Sequence, residues 1–222
     1  MAITASPYGL RPLQLVGGQS FNGGVIREYS LSVNTASAFF NGDLISLSSA
    51  GQPAVIGTTP TAIQIPATSA NATAGIMGVC VGVRYVLPNP LKQQMFGQYL
   101  PANAITGGYS DVWIRVMDDP DALFQIQGTA ALGTFNSGTA GSGWRGVIGK
   151  NAALDFTTAG STATGNSGAA LVVGTNGGSI AATTTLAMRI VDVVQGTQFD
   201  PYPEFIVKFN LGVHSYYNPL GV

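Results

Sequence analysis

Residues 75–87 read GIMGVCVGVRYVL. Met77, Val79, Val81, Val83, Tyr85 and Leu87 recur at a period of two, with Gly78, Cys80, Gly82 and Arg84 between them. A helix would need apolar residues at three- and four-residue intervals, so the spacing predicts a strand with one large-residue face. Other stretches repeat the pattern. SDVWIRVM sets Val112, Ile114 and Val116 against Trp113, Arg115 and Met117, and LAMRIVDVVQG sets Leu186, Met188 and Ile190 against Arg189 and Val191. Near the end, Phe205, Val207, Phe209, Leu211 and Val213 alternate with Ile206, Lys208 and Asn210. Weaker strands are expected at VIREYSLSV, DLISLSS, PAVIG and LFQIQG.

Helix is nearly excluded. Glu and Lys, which normally coat helix surfaces, are represented only by Glu28, Glu204, Lys92, Lys150 and Lys208. The 30 glycines and 12 prolines cut the chain into short segments. At most a turn or two of helix is expected, at NPLKQQMFGQY after Pro90. The expected fold is all-β: an antiparallel β-sandwich or barrel, with a jelly roll among the topologies that fit.

Two segments look unlike core. Residues 1–24 carry a single charge, Arg11, among glycines and isolated apolar residues, and read as an extended N-terminal arm. Residues 25–222 read as one β-rich domain, interrupted at about 136–185 by a long Gly/Ser/Thr-rich insertion. That insertion offers little apolar surface to offset its ordering entropy, so it is expected to be loose on its own. The core is expected from the strands within 76–135 and 186–214.

Charge excludes several functions. Only 9% of the 222 residues are charged and the net charge is −1. Gripping a phosphate backbone needs clustered Lys and Arg, whereas the nine basic residues are scattered, which argues against a nucleic-acid partner. A monomer of this length exposes about 9,600 Å², or roughly one charge per 500 Å² here. Surfaces that stay free in water carry more, and interface centres are depleted in Lys and Glu. The composition therefore favours a subunit covered by partners. No apolar run reaches the roughly 20 residues that span a bilayer, and the longest is broken by Arg84, so no membrane partner is expected. The opening MAITASPYGLRP lacks the pattern of a secretory leader. Cys80 is alone, which excludes an internal disulfide and suits a cytosolic origin.

Chemical motifs are weak. Gly141, Gly143 and Gly146 satisfy G-x-G-x-x-G, but that motif holds a pyrophosphate only between a strand and a helix. Ser167, Asp192 and His214 follow a hydrolase's chain order, without the strand-to-helix elbow that activates such a serine. Asp118, Asp119 and Asp121, in MDDPDALF, suit a tight turn better than a calcium loop. One His and one Cys cannot build a zinc site. No cofactor, metal or catalytic residue is expected. His214 falls on the side of the last strand with Lys208 and Asn210, so it is expected on an exposed or interfacial face beside Tyr216 and Tyr217.

The start of the chain, SPYGLRPLQLVGGQSFNGGVIREYSL, resembles small structural proteins of tailed bacteriophages of marine or cyanobacterial hosts. The likeness rests on Tyr8 to Pro12, the pairs Gly17–Gly18 and Gly23–Gly24, and Arg27 to Tyr29. The stretches GIMGVCVGVRYV, MDDPDALFQIQG and FIVKFNLGVHSYYN are similar to that group as well. The resemblance implies a non-enzymatic virion component, made in the host cytoplasm, that sits on the capsid surface as a cement or decoration protein. Its implied partners are the major capsid protein and further copies of itself, a trimer suiting a threefold site. The arm and the insertion become the expected contact regions, with Tyr8, Leu10, Arg11, Leu13, Phe21, Trp144, His214, Tyr216 and Tyr217 as candidate interface residues. A tail-tube or neck protein is the alternative, and a carbohydrate-binding β-sandwich with Trp113 or Trp144 as its platform is the remoter one.

Overall fold

The computed structural model describes residues 4–18, 26–32, 34–47, 53–55, 76–133, 143–174, 177, 179–184, 186–210 and 214. The fold is all-β and antiparallel, two larger sheets sharing a core in the manner of a sandwich, with no closed barrel. The first sheet runs in the order β1 (Arg11–Leu15), β10 (Ala122–Gln127), β15 (Glu204–Phe209), β14 (Met188–Val193) and β11 (Asn151–Ala152). The second runs β2 (Ile26–Ser30), β9 (Ser110–Met117), β6 (Ile76–Val86), β4 (Leu44–Leu47) and β5 (Pro53–Val55), with β7 (Gln94–Gly97) added to the far end of β6. Two short ladders complete the molecule: β3 (Phe39–Phe40) with β8 (Tyr99–Leu100), and β12 (Leu154–Asp155) with β13 (Ala170–Leu171).

The main core lies where the two sheets meet. Phe124, Ile126, Met188, Ile190, Phe205, Val207 and Phe209 come from the first sheet, and Leu44, Ile76, Val79 and Met117 from the second. The period-two reading of β9 and β15 therefore holds, and the weaker strand expected at LFQIQG forms as β10. β14 departs once: its register skips at Val191, which stands exposed, and the skip turns Val193 inward instead of Asp192.

β6 corrects the expectation of a single large face. It is buried on both sides and changes phase twice. Its pairing with β4 skips Met77 and its pairing with β9 skips Val81. Ile76, Val79 and Val81 consequently meet the main core, whereas Met77, Cys80, Val83 and Tyr85 belong to a second one. That second core fills the opposite face of the sheet, closed over by Phe39 of β3, Leu100 of β8, and Ala104, Ile105 and Tyr109 of the following loop. Gly78 sits at the first phase change. A Cβ there would run into the carbonyl oxygen of Met117 and the side chain of Val116, so only glycine lets β6 and β9 approach this closely.

Two further expectations are corrected. NPLKQQMFGQY forms no helix: after a turn at Asn89–Leu91 it becomes β7. The glycine-rich insertion is not without anchors. Val147, Ala152, Leu171, Val173 and Ile180 are buried in the main core, and Ala169 and Ala170 are buried beside them. Small residues fill the space because the backbone itself comes close; at Gly168 a Cβ would strike the carbonyl oxygen of Thr158.

Candidate functional site

Directly paired residues of antiparallel neighbours share a face. Ser30 pairs with Trp113, Trp113 with Arg84, and Arg84 with Phe96, so one row crosses β2, β9, β6 and β7. Trp113 shares this face of β9 with Met117, which packs in the main core two rows away. Phe96 is 66% exposed. The Arg84 guanidinium stands over the Trp113 ring, 5.1 Å from its centroid, and Nη1 donates to Asp111 Oδ2 at 2.9 Å. Trp113 Nε1 donates to Asp111 Oδ1 at 2.7 Å. Glu28 makes longer ion pairs with Arg84 Nη2 and Arg115 Nε, each at 3.6 Å. The Trp113 N–H, and after it Arg84, hold the Asp111 carboxyl below the usual carboxylate range.

Solvated ion pairs contribute little stability, so the network acts mainly by fixing orientation. An indole and a guanidinium are thereby held in contact, an arrangement with little side-chain freedom left to lose. Trp and Arg are also the residues that dominate binding energy at protein interfaces. A shallow cavity of about 330 Å³ adjoins the row, lined by Ser30, Ser32, Ile105, Tyr109 and Trp113 among others.

The N-terminal segment is laid on its own sheet. β1 pairs with β10 from Arg11↔Gln125 to Leu15↔Ala122, and Ser6 N donates to Gln127 Oε1 at 2.8 Å. The Tyr8 hydroxyl donates to Glu204 Oε1 at 3.1 Å, and Gln125 Nε2 donates to Glu204 Oε2 at 2.6 Å. Arg11 covers the Tyr8 ring at 4.0 Å. Burial, and then the Glu204 charge, push the Tyr8 phenol well above its ordinary value.

Of the residues singled out in the sequence, the structure brings Tyr8 and Arg11 together and leaves Leu13 38% exposed on the edge strand. Trp144, in the 3-10 turn Gly143–Val147, packs half-buried against the main core with Arg145 over its ring at 5.2 Å. Phe21, Tyr216 and Tyr217 lie outside the described residues. Leu10 and His214 are corrections. Leu10 is 1% exposed and His214 0%, so neither offers a side chain to a partner on the surface of this chain. His214 bridges to Ile76 in parallel, and its ring centroid is 5.2 Å from that of Phe209. Alternation counted forward from β15 failed because the strand ends at Phe209, five residues short of His214.

The weak motifs resolve into local structure. Ser167 Oγ accepts from Ala169 N at 3.1 Å and hydrogen-bonds the Asp43 carboxylate. Asp192 is exposed and accepts from Val193 N, while the carboxylates whose fields reach His214 are Asp118 and Asp119. Ser167, Asp192 and His214 thus each answer to different neighbours. MDDPDALF is the turn from β9 to β10: Asp121 N donates to Asp119 Oδ1 at 2.8 Å, Asp118 pairs with Arg27 at 3.1 Å, and Asp121 pairs with Lys208 at 3.3 Å. Gly141 of the G-x-G-x-x-G match is outside the described residues, and Gly143 opens a 3-10 turn. Among the described residues no group of three or more His, Cys, Asp or Glu is placed to hold a metal ion.

Sequence reasoning did not single out Phe96 or Arg84. Arg84 had a readable signal, a lone charge inside an apolar run; Phe96 had none, because its exposure follows from the β6–β7 pairing. No protein-family profile, curated protein or solved structure matches the chain.

Proposed function

We propose that this protein is a non-enzymatic structural subunit of a bacteriophage virion, one that binds the outside of the capsid lattice and stabilises it. The observation that supports it most is the Phe96–Arg84–Trp113 row, in which an exposed Phe96 adjoins a partly buried, oriented Arg84 and Trp113 on a chain with few charges. Such a surface recognises a broad, flat protein partner by burying rings and satisfying one preset guanidinium. Leu91 and Phe199, 69% and 71% exposed, add apolar area elsewhere. The N-terminal residues belong to the body of the subunit in this reading, and the partner meets the sheet face.

Gradient-purified shells of the phage that encodes it, lacking this protein, provide the test. The pure protein is expected to co-sediment with them at a fixed copy number, and Phe96→Ser with Trp113→Ala is expected to abolish co-sedimentation while leaving the circular-dichroism spectrum unchanged. Full binding by the double variant would remove the row from the reading. Rings or stacked tubes of the pure protein in electron micrographs, with no shell binding, would favour a tail-tube or neck role instead.

A further inference from the structure

Asp43 stands 6% exposed between β3 and β4 with only neutral donors on its carboxylate. Phe40 N donates to Oδ2 at 2.8 Å, and Ser167 supplies the side-chain hydrogen bond. No ion pair of Asp43 occurs among the described residues. A buried carboxylate without a counter-charge is costly. It is tolerated where a ligand completes it. Asp43 forms part of the wall of a cavity of about 300 Å³, together with Phe40, Phe156, Thr157, Gly160 and Ser167. That volume is roughly ten times a water's share of the liquid, and falls at the small end of ligand sites. The cavity is shaped by close backbone approach: a Cβ at Gly160 would overlap the Phe40 ring.

We propose that this cavity is a binding site for a primary ammonium group carried on a short alkyl stem. The carboxylate supplies the counter-charge, Ser167 and Phe40 N hold it in place, and Phe156 in the cavity wall supplies an apolar aromatic surface to cover the methylenes. A divalent metal fits poorly, since no second carboxylate lines the cavity and a hard cation takes six or more oxygens. The inference stands apart from the virion reading.

Titratable and charged groups surround Asp43 on several elements. Cys80 on β6 has its thiol pushed up to about 12, and Tyr99 of β8 stacks on Phe40 at 5.0 Å. Tyr8 and Arg11 line the adjoining cavity beyond Ser167, where Arg11 is engaged with the Tyr8 ring. Asp155, ahead of the Phe156 wall, is occupied by Thr157. Burial raises Asp43 to about 6.

The experiment titrates the full chain with n-butylammonium chloride at fixed ionic strength, following backbone amide shifts by NMR, with n-butanol and butyrate as controls. A peptide bearing one central lysine and its norleucine counterpart form a second arm, which distinguishes a partner's lysine from a free amine. Saturable shifts at Phe40, Thr158 and Ser167 are expected with butylammonium, with the lysine peptide or with both, and with neither control. Affinity should fall about tenfold from pH 7 to pH 5 as Asp43 takes up its proton, and Asp43→Asn should abolish it. Ser167→Ala, which keeps the carboxylate, should weaken binding without abolishing it, and reads the site even if Asp43→Asn does not fold. Equal binding of butanol, pH-independent binding, binding retained by Asp43→Asn, or saturation by Ca²⁺ but not by the amines would overturn the proposal.

Discussion

Val79 and Cys80 are adjacent in β6 and belong to different hydrophobic cores, Val79 to the one between the sheets and Cys80 to the one behind the second sheet. A single strand thereby ties both cores together. Val79→Ala is expected to cost about 2 kcal/mol through its unfilled volume, read as a fall in the urea midpoint at unchanged slope. An altered slope would mean that the two cores unfold separately.

Cys80 should be chemically silent. It is fully buried, and burial pushes its thiol up to about 12, so almost no thiolate exists at neutral pH. Labelling by an aromatic disulfide reagent is expected only in denaturant or at the rate of unfolding. Rapid labelling of the folded chain would show that the second core opens on its own.

The Gly78 approach allows no side chain. Gly78→Ala should cost about 3 kcal/mol or more, because its Cβ meets backbone rather than a movable side chain. The comparison is Gly149→Ala, which has open space around its Cβ and a φ of 81°, and should lose only the smaller cost of that conformation. Equal losses at the two sites would contradict the packing of β6 on β9.

Stability should carry two opposing pH limbs. Burial lowers His214 below its ordinary value, against the fields of Asp118 and Asp119. The unfolded chain then binds the proton more readily, so this contribution is present above the ordinary histidine value of about 6.5 and is lost as pH falls. Asp43 runs the other way: raised from 3.8 to about 6, it stabilises most below 3.8 and loses that contribution as pH rises through 6. The full swing for Asp43 is about 3 kcal/mol. Asp43→Asn should therefore gain on the wild type, by up to that amount, between pH 4 and pH 7.5 in urea titrations. His214→Leu should flatten the acid limb. Identical pH profiles for wild type and both variants would defeat the assignment.

The hydroxyl of Tyr8 is the cleanest probe of the N-terminal segment. Tyr8→Phe removes its bond to Glu204 and should cost about 1 kcal/mol. No loss would mean that the segment is detached from the sheet in solution.

Where alternate residues all reach one core, alternation is enough: Val112, Ile114 and Val116 mark β9, and Phe205, Val207 and Phe209 mark β15. β6 defeated the same rule. Its bulges at Met77 and Val81 are set by the partner strands, and nothing local to the chain announces them. Residues 143–174 are more buried than their composition implies, for another reason. Composition registers large apolar side chains, whereas this region packs through Ala152, Ala169, Ala170 and glycines whose neighbours are backbone atoms. The arm is similar: Leu10 is isolated in sequence, yet fully buried once β1 lies along β10. Tyr8 and Arg11, expected at an interface, meet each other and Glu204 within the chain. The Phe96–Arg84–Trp113 row and the Asp43 cavity needed the strand pairing and the tertiary fold respectively, since their members are distant along the chain.

The ladder between β1 and β10 has a temporal consequence. Arg11 leaves the ribosome long before Gln125 exists to receive it, and β10 in turn awaits β15, which lies far behind it in the chain. Strand pairings this remote in sequence close slowly. The nascent chain must keep β1 unpaired until β10 has emerged, with an open edge that neighbouring copies on a polysome are well placed to capture.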